Sequence, residues 1–311
     1  MDRTAVMVHR VVTVGELTLD DIVVEGAGCD WQQPGGGALY SAIGALAWGA
    51  RPAICATIGS DYPDRWLDRL QAAGVDITPV SRTPERSLGL WLLYEREGRR
   101  HQVEKASGST FAALDAARCS WRSSVPDVVG VHVAPQTTAG QMSALEDVRA
   151  AGVVATQDLL IEPFIDAEPY RSGAAMRGAR AFLPSQQEVG QLWRDIDPHA
   201  LRGHLRESAG IEHLVIKRGA AGADVVLDDV VVRVPPAAET VVDPTGAGDA
   251  FCGGFLVGLI DTGDPVEAAV RGAVSAAVVV ETRGALAAIE HAACTRVADR
   301  ARRIRPLVSR G

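Results

Sequence analysis

Residues 241–251, reading Val-Val-Asp-Pro-Thr-Gly-Ala-Gly-Asp-Ala-Phe, join a glycine-rich turn to the start of an apolar helical segment. Glycines on either side of Ala247 let successive N–H groups bend into one concavity, and the following helix adds the positive end of its dipole. Such a concavity takes an anion. Asp249 stands beside it, where a carboxylate is costly unless it has a task, and taking the proton of an attacking hydroxyl is such a task. Gly246, Ala247, Gly248 and Asp249 therefore join a charge stabiliser to a base, as phosphoryl transfer requires. The alternative for the same residues is a plain helix start, with small residues in the turn and an acid complementing the dipole.

Such a site needs a rigid frame. Short β-branched runs at 11–14, 53–58, 127–133, 153–156, 213–216 and 223–227 read as strands. Ala- and Leu-rich segments with helical spacing fall at 38–48, 64–73, 139–151, 187–194, 199–208, 247–260 and 265–281. The alternation, with its separations read as crossovers, predicts an α/β fold: a doubly wound, mostly parallel sheet with helices on both faces. Residues 19–29 and 87–104 break the pattern. Leu88, Leu90 and Leu92 alternate before a turn at Gly98, and both segments read as strands of a small separate sheet. They flank Gly35, Gly36 and Gly37, so about 17–37 and 87–104 read as a lid hinged over a ligand cleft, within one domain spanning 1–311.

With 311 residues, 47% of them hydrophobic, the chain can bury a large core. The 31 Lys and Arg against 39 Asp and Glu give a formal charge of −8, which disfavours nucleic acid and anionic membranes as partners. Five scattered cysteines without a CxxC pair indicate neither a zinc site nor a disulfide framework. Residues 1–14 lack a secretory pattern and no window is of membrane-spanning length, so a cytoplasmic protein is expected. The arginines of 296–310 are interrupted by Asp299 and read as a solvated helix and tail.

The run Asp243-Pro244-Thr245-Gly246-Ala247-Gly248-Asp249 resembles the C-terminal signature of the PfkB, or ribokinase-like, sugar kinase family. Gly15-Glu16-Leu17-Thr18-Leu19-Asp20 is similar to that family's first strand ending in a substrate-binding Asp, and Gly35-Gly36-Gly37-Ala38 to its di-glycine hinge. Gly59-Ser60-Asp61, Ser185-Gln186-Gln187-Glu188 and the stretch 215–222 follow in family order, so the resemblance covers about 11–290.

The resemblance implies a doubly wound sheet with a small β lid, ATP as phosphoryl donor and Mg²⁺ as cofactor. It makes Asp249 the base and the amides of Gly246 to Gly248 an anion hole. Asp20 would bind substrate hydroxyls, and a carboxylate accepting from two neighbouring hydroxyls is chemically sensible. Gly35, Gly36 and Gly37 would form the hinge and substrate loop. Glu188 would hold Mg²⁺, usually through water, with Ser185 standing where the family carries Asn. Ser185, Lys217, Gly219, Gly222 and Gly248 would border the nucleotide. Asp243 and Thr245 fall where some members bind a monovalent cation, potassium, although strand-end capping suits them equally. No G-x-x-x-x-G-K-[ST] run is present, so phosphates are not held by a P-loop lysine.

The acceptor side departs further. Tyr40 stands where the ribokinase pattern has Asn, and its ring and hydroxyl suit a larger acceptor or simple helix packing. His132 ends a predicted strand, where open α/β sheets bind ligands, and reads as a substrate contact or a core histidine. The combined expectation is an ATP-dependent kinase acting on a hydroxymethyl group of a sugar or sugar-like small molecule. A nucleoside kinase of the same mechanism and a non-catalytic sugar- or nucleotide-sensing protein are the alternatives. Edge strands of the lid would allow a homodimer. A dinucleotide oxidoreductase would need G-x-G-x-x-G after the first strand, and Gly15-Glu16-Leu17 does not supply it.

Overall fold

The computed structural model describes residues 8–26, 28–95, 100–162 and 165–310. The chain opens with β1 (Arg10–Val14), β2 (Thr18–Val24), β3 (Gly28–Gly35), α1 (Gly37–Leu46), β4 (Arg51–Ile58), α2 (Asp64–Ala72) and β5 (Val80–Arg82). There follow β6 (Gly89–Tyr94), β7 (Arg100–Glu104), α3 (Phe111–Ala117), β8 (Val128–Val133), α4 (Thr138–Ala151), β9 (Val154–Gln157) and α5 (Glu168–Arg171). The second half holds β10 (Ala181–Phe182), α6 (Gln186–Leu192), α7 (Pro198–Ala209), β11 (His213–Lys217), β12 (Ala223–Val226) and β13 (Val231–Val234). Last come α8 (Ala247–Thr262), α9 (Pro265–Val280), α10 (Ala285–Cys294), α11 (Val297–Ile304) and β14 (Ser309–Arg310).

Ten of the described strands form one sheet in the order β14-β13-β12-β11-β10-β9-β8-β1-β4-β5. From β5 to β11 every pairing is parallel. The strands are apolar on both faces because both faces are covered. Along β4, Ala53 and Cys55 pack with Leu145 and Val148 of α4, whereas Ile54, Ala56 and Ile58 pack with α1, α2 and α10. Each buried Val, Leu or Ile side chain contributes roughly 1.5–3 kcal/mol and each alanine less, and the period of two sends alternate residues to opposite layers.

One expectation fails here. The strand pair β11 and β12 is antiparallel, as are β12 with β13 and β13 with β14. Only five residues, 218–222, separate β11 from β12, while a parallel crossover needs a dozen or more. The strands β5, β10 and β14, of two or three residues, are too short to be read from sequence, whereas β13 carries the β-branched run Val231, Val232 and Val234 and is not among the strands expected. The helix expected at 187–194 runs Gln186–Leu192.

The small sheet has the order β3-β2-β6-β7. The segment expected as one strand over 19–29 instead turns at Gly26, with φ +76°, and continues as β3. Between Asp20 and Ile22 the β2–β3 register shifts, with Gln32 at φ +50° and its N–H donating to Asp21 Oδ1 at 2.7 Å. This bulge twists the strand directly beside Asp20. The turn expected at Gly98 lies outside the described residues. Glycines 35–37 form no loose loop: β3 ends at Gly35, Gly36 is the N-cap residue of α1 at φ +107°, and Gly37 is its first residue. No helix among the described residues is long and apolar enough to cross a membrane.

Candidate active site

A cavity of about 440 Å³ opens where β1, β8, β9 and β11 end, walled on its far side by Leu90 and Leu92 of β6 and Gln102 of β7. Open parallel sheets bind ligands at such strand ends.

At one end stands the start of α8. Gly246 is its N-cap residue at φ +76°, ψ +4°, and a Cβ there would run into the Tyr40 ring, so only glycine fits on both counts. The Ala247 N–H turns back to the Pro244 carbonyl at 3.3 Å, while the N–H groups of Gly246 and Gly248 meet no acceptor among the described residues. The anion hole therefore has its open donors at the two glycines. Asp249 is the third residue of α8. Gly37 lies against it, since a Cβ on Gly37 would stand 2.9 Å from Asp249 Oδ1, and the missing side chain is what lets α1 begin there.

The loop before α8 is pinned by Asp243. Its Oδ1 accepts from Thr245 N at 2.9 Å and its Oδ2 from Gly284 N at 3.1 Å. Both oxygens are thus engaged by backbone amides, which is the capping role expected as one alternative for Asp243. Asp243 lies behind the cavity wall, whereas Thr245 lines it and its Oγ1 meets the Tyr94 hydroxyl of β6 at 2.8 Å.

Lys217 ends β11 with its side chain almost wholly buried, its ammonium ion-paired to Asp158 Oδ2. A Cβ built on Gly248 would lie 3.4 Å from Lys217 Nζ, which puts the ammonium at the mouth of the anion hole. Burial opposes that charge, yet Asp158, then Cys252 and Glu188, hold the lysine's pKa above its ordinary value. Glu188 forms a capping box with Ser185: its Oε2 accepts from Ser185 N at 2.6 Å and its N–H donates to Ser185 Oγ at 3.2 Å. Burial, with Asp158 adding and Lys217 opposing, pushes its carboxyl up to about 7. Gly219 and Gly222, at φ +54° and +86°, complete this wall.

At the other end Asp20 is buried at 2% exposure and lines the cavity. Its carboxylate lies against Gly35, where any Cβ would collide with it, so Gly35 serves from behind the wall. Gly36, Gly37 and Tyr40 are on the wall, with Tyr40 buried at 3% exposure and its phenol pKa raised by burial, then by Asp243 and Asp20.

His132 is not brought to the cavity. It shares the β8 face of Gly130, against which Leu256 and Ile260 of α8 pack, and its Nδ1 lies 2.9 Å from Thr156 Oγ1. Burial, reinforced by the charge of Lys217, pushes its pKa down to about 3, so it is a neutral core residue rather than a substrate contact.

Sequence reasoning missed Asp158, Glu16 and Phe111, all on the cavity wall. Asp158 follows β9, and the strand-end rule applied there would have found it. Glu16 is 1% exposed, 3.7 Å from Arg118 Nη1, and held well above the usual carboxylate range by burial and by Asp115.

A profile described as pfkB family carbohydrate kinase matches residues 8–292. The chain is 27% identical over 273 residues to a cytidine kinase of Thermococcus kodakarensis, covering 84% of this chain and 91% of that protein. It is 29% identical over 243 residues to a fructokinase of Rhizobium leguminosarum bv. trifolii, covering 72% and 71%. A solved structure, a putative ribokinase II of E. coli in complex with ATP and Mg²⁺, superposes with a TM-score of 0.73 at 22% identity, covering 94% of this chain and 98% of that one.

Proposed function

The chain belongs to the pfkB family of carbohydrate kinases, and from that premise we propose that it transfers the γ-phosphoryl group of ATP to a hydroxymethyl group of a sugar or sugar-like small molecule. One observation carries this reading: Asp249 and the open amides of Gly246 and Gly248 share a cavity with the buried carboxylate of Asp20. Asp249 takes the proton of the attacking hydroxyl. The Gly246 and Gly248 amides, the α8 dipole and the Lys217 ammonium stabilise charge on the group in transit. Asp20 orients the acceptor through its other hydroxyls.

Mg²⁺ is implied by the family, and the donor set fits it. Glu188 presents a half-buried carboxylate to the cavity, its pKa raised first by burial and then by the neighbouring Asp158, and an oxygen donor of this kind suits a hard divalent cation. When bound, Mg²⁺ offsets phosphate charge. Glu188 would hold it, through water. The small sheet, with Leu90, Leu92 and Gln102 on the cavity wall, is the lid of this reading.

The same wall favours one second reading. Leu90, Leu92 and Phe111 offer apolar area that a bare sugar does not need, whereas a nucleoside base would use it, in line with the similarity to a cytidine kinase. ADP release measured with ATP and Mg²⁺ across sugars, sugar acids, polyols and nucleosides tests both. Turnover on hexoses or pentoses supports the first reading and turnover confined to nucleosides the second. Absence of turnover on every class contradicts both.

A further inference from the structure

Asp158 touches no reacting group in the chemistry above, yet its carboxylate is tightly constrained. It is 3% exposed, one residue past the end of β9, and both of its oxygens are fixed. Oδ1 accepts from the Leu159 N–H at 2.8 Å, and Oδ2 holds the Lys217 ammonium. Cys252, on α8 one turn past Asp249, backs the pair with its Sγ 3.5 Å from Asp158 Oδ2 and 3.7 Å from Lys217 Nζ. A lysine carries four flexible methylenes, and a lone ammonium near Glu188 and the α8 turn has several anions to visit. A carboxylate already locked by the backbone removes that choice.

We propose that Asp158 is a positioning residue for phosphoryl transfer, holding the Lys217 ammonium at the mouth of the Gly246–Gly248 anion hole. The proposal rests on the kinase reading above and on Lys217 acting at the transferred group. A preset charge serves the transition state because it costs no reorganisation when charge develops. Lys217 without Asp158 loses its address and the first support of its charge against burial, so the loss falls on kcat and hardly on nucleotide binding, which other contacts supply.

The test compares Asp158→Asn, Lys217→Met, the double variant and Asp158→Glu, using the acceptor that the panel identifies. Expected for Asp158→Asn is a fall in kcat of roughly 10- to 100-fold with the KM for ATP within about threefold. Lys217→Met falls similarly, and the double variant is no worse than the worse single one, as for residues acting as a unit. Asp158→Glu recovers part of the rate. Should Asp158→Asn not fold, Asp158→Glu takes its corner in the cycle with Lys217→Met and the Asp158→Glu/Lys217→Met double variant: a kcat loss that vanishes in the Lys217→Met background supports positioning, and one that persists there overturns it.

Wild-type turnover in Asp158→Asn beside a crippled Lys217→Met overturns the positioning role and leaves the kinase reading intact. Losses that multiply, together with a raised Mg²⁺ requirement in Asp158→Asn, would put Asp158 on the metal instead. Full activity in Lys217→Met overturns the proposal at its root, whereas full activity in Asp249→Asn would defeat the underlying reading.

Discussion

The two ends of the cavity are built from different materials. The phosphate end is mostly backbone: a left-handed glycine, two open amides, a helix dipole, a capping box and one locked ion pair. The acceptor end is mostly side chains drawn from separate segments: Glu16 and Asp20 near β2, Tyr40 on α1, Leu90 and Leu92 on β6, Gln102 on β7 and Phe111 on α3. Backbone sites tolerate few substitutions because their requirements are conformational. Side-chain sites can be retuned one residue at a time, which is how a fold keeps one chemistry and changes its acceptor.

That contrast breaks most readily at Gly246. An alanine there takes a strained φ of +76° and drives its methyl into the Tyr40 ring, so Gly246→Ala should lose about 1–3 kcal/mol of stability. Turnover should fall with it. Thermal melting and kcat check this, and Tyr40→Ala in the same chain should recover part of the stability. An unchanged melting temperature in Gly246→Ala would mean the turn is not tightly set.

A comparable effect at the phosphate end depends on pH. Glu188 is raised from the ordinary 4.5 to about 7 by burial, with Asp158 adding. The folded protein therefore binds that proton more tightly than the unfolded chain, and stability falls as pH rises through that interval. Glu188→Gln keeps a capping-box partner and removes the titration. It should flatten the fall in stability between about pH 4.5 and pH 7 by about 1–3 kcal/mol, read from denaturant unfolding across that range. The wild-type slope persisting in the variant would assign it to another group.

The smallest effect is expected at the acceptor end. Gln102 is half-buried on the wall, and Gln102→Ala should raise the acceptor KM several-fold, within about 1.5 kcal/mol, while the KM for ATP stays put. A change in the ATP constant instead would show that the two ends are not separate.

The same contrast explains what was legible in the sequence. Gly246, Gly248 and Asp249 lie within four consecutive residues, so their chemistry could be read from one stretch, and the long apolar strands and helices declared the parallel sheet. Asp158 acquires its meaning from Lys217, fifty-nine residues away in the chain, and no local pattern announces the pair. His132 was misplaced by reading the end of a strand without its parity: residue 132 shares a face with Gly130, and a glycine in a buried strand marks the close approach of a helix. The antiparallel return at β12 was written in the five-residue gap after Lys217, which is too short for a crossover.

The central claim is that the α8 turn, with the Lys217 ammonium held at its mouth, supplies catalysis and the rest of the cavity supplies binding. Asp249→Asn tests it most directly, with ATP binding measured by calorimetry alongside phosphoryl transfer to the identified acceptor. The account predicts ATP affinity within a few-fold of the parent and a loss of transfer of roughly 10²- to 10⁴-fold. Transfer at a near-normal rate in that variant would contradict it.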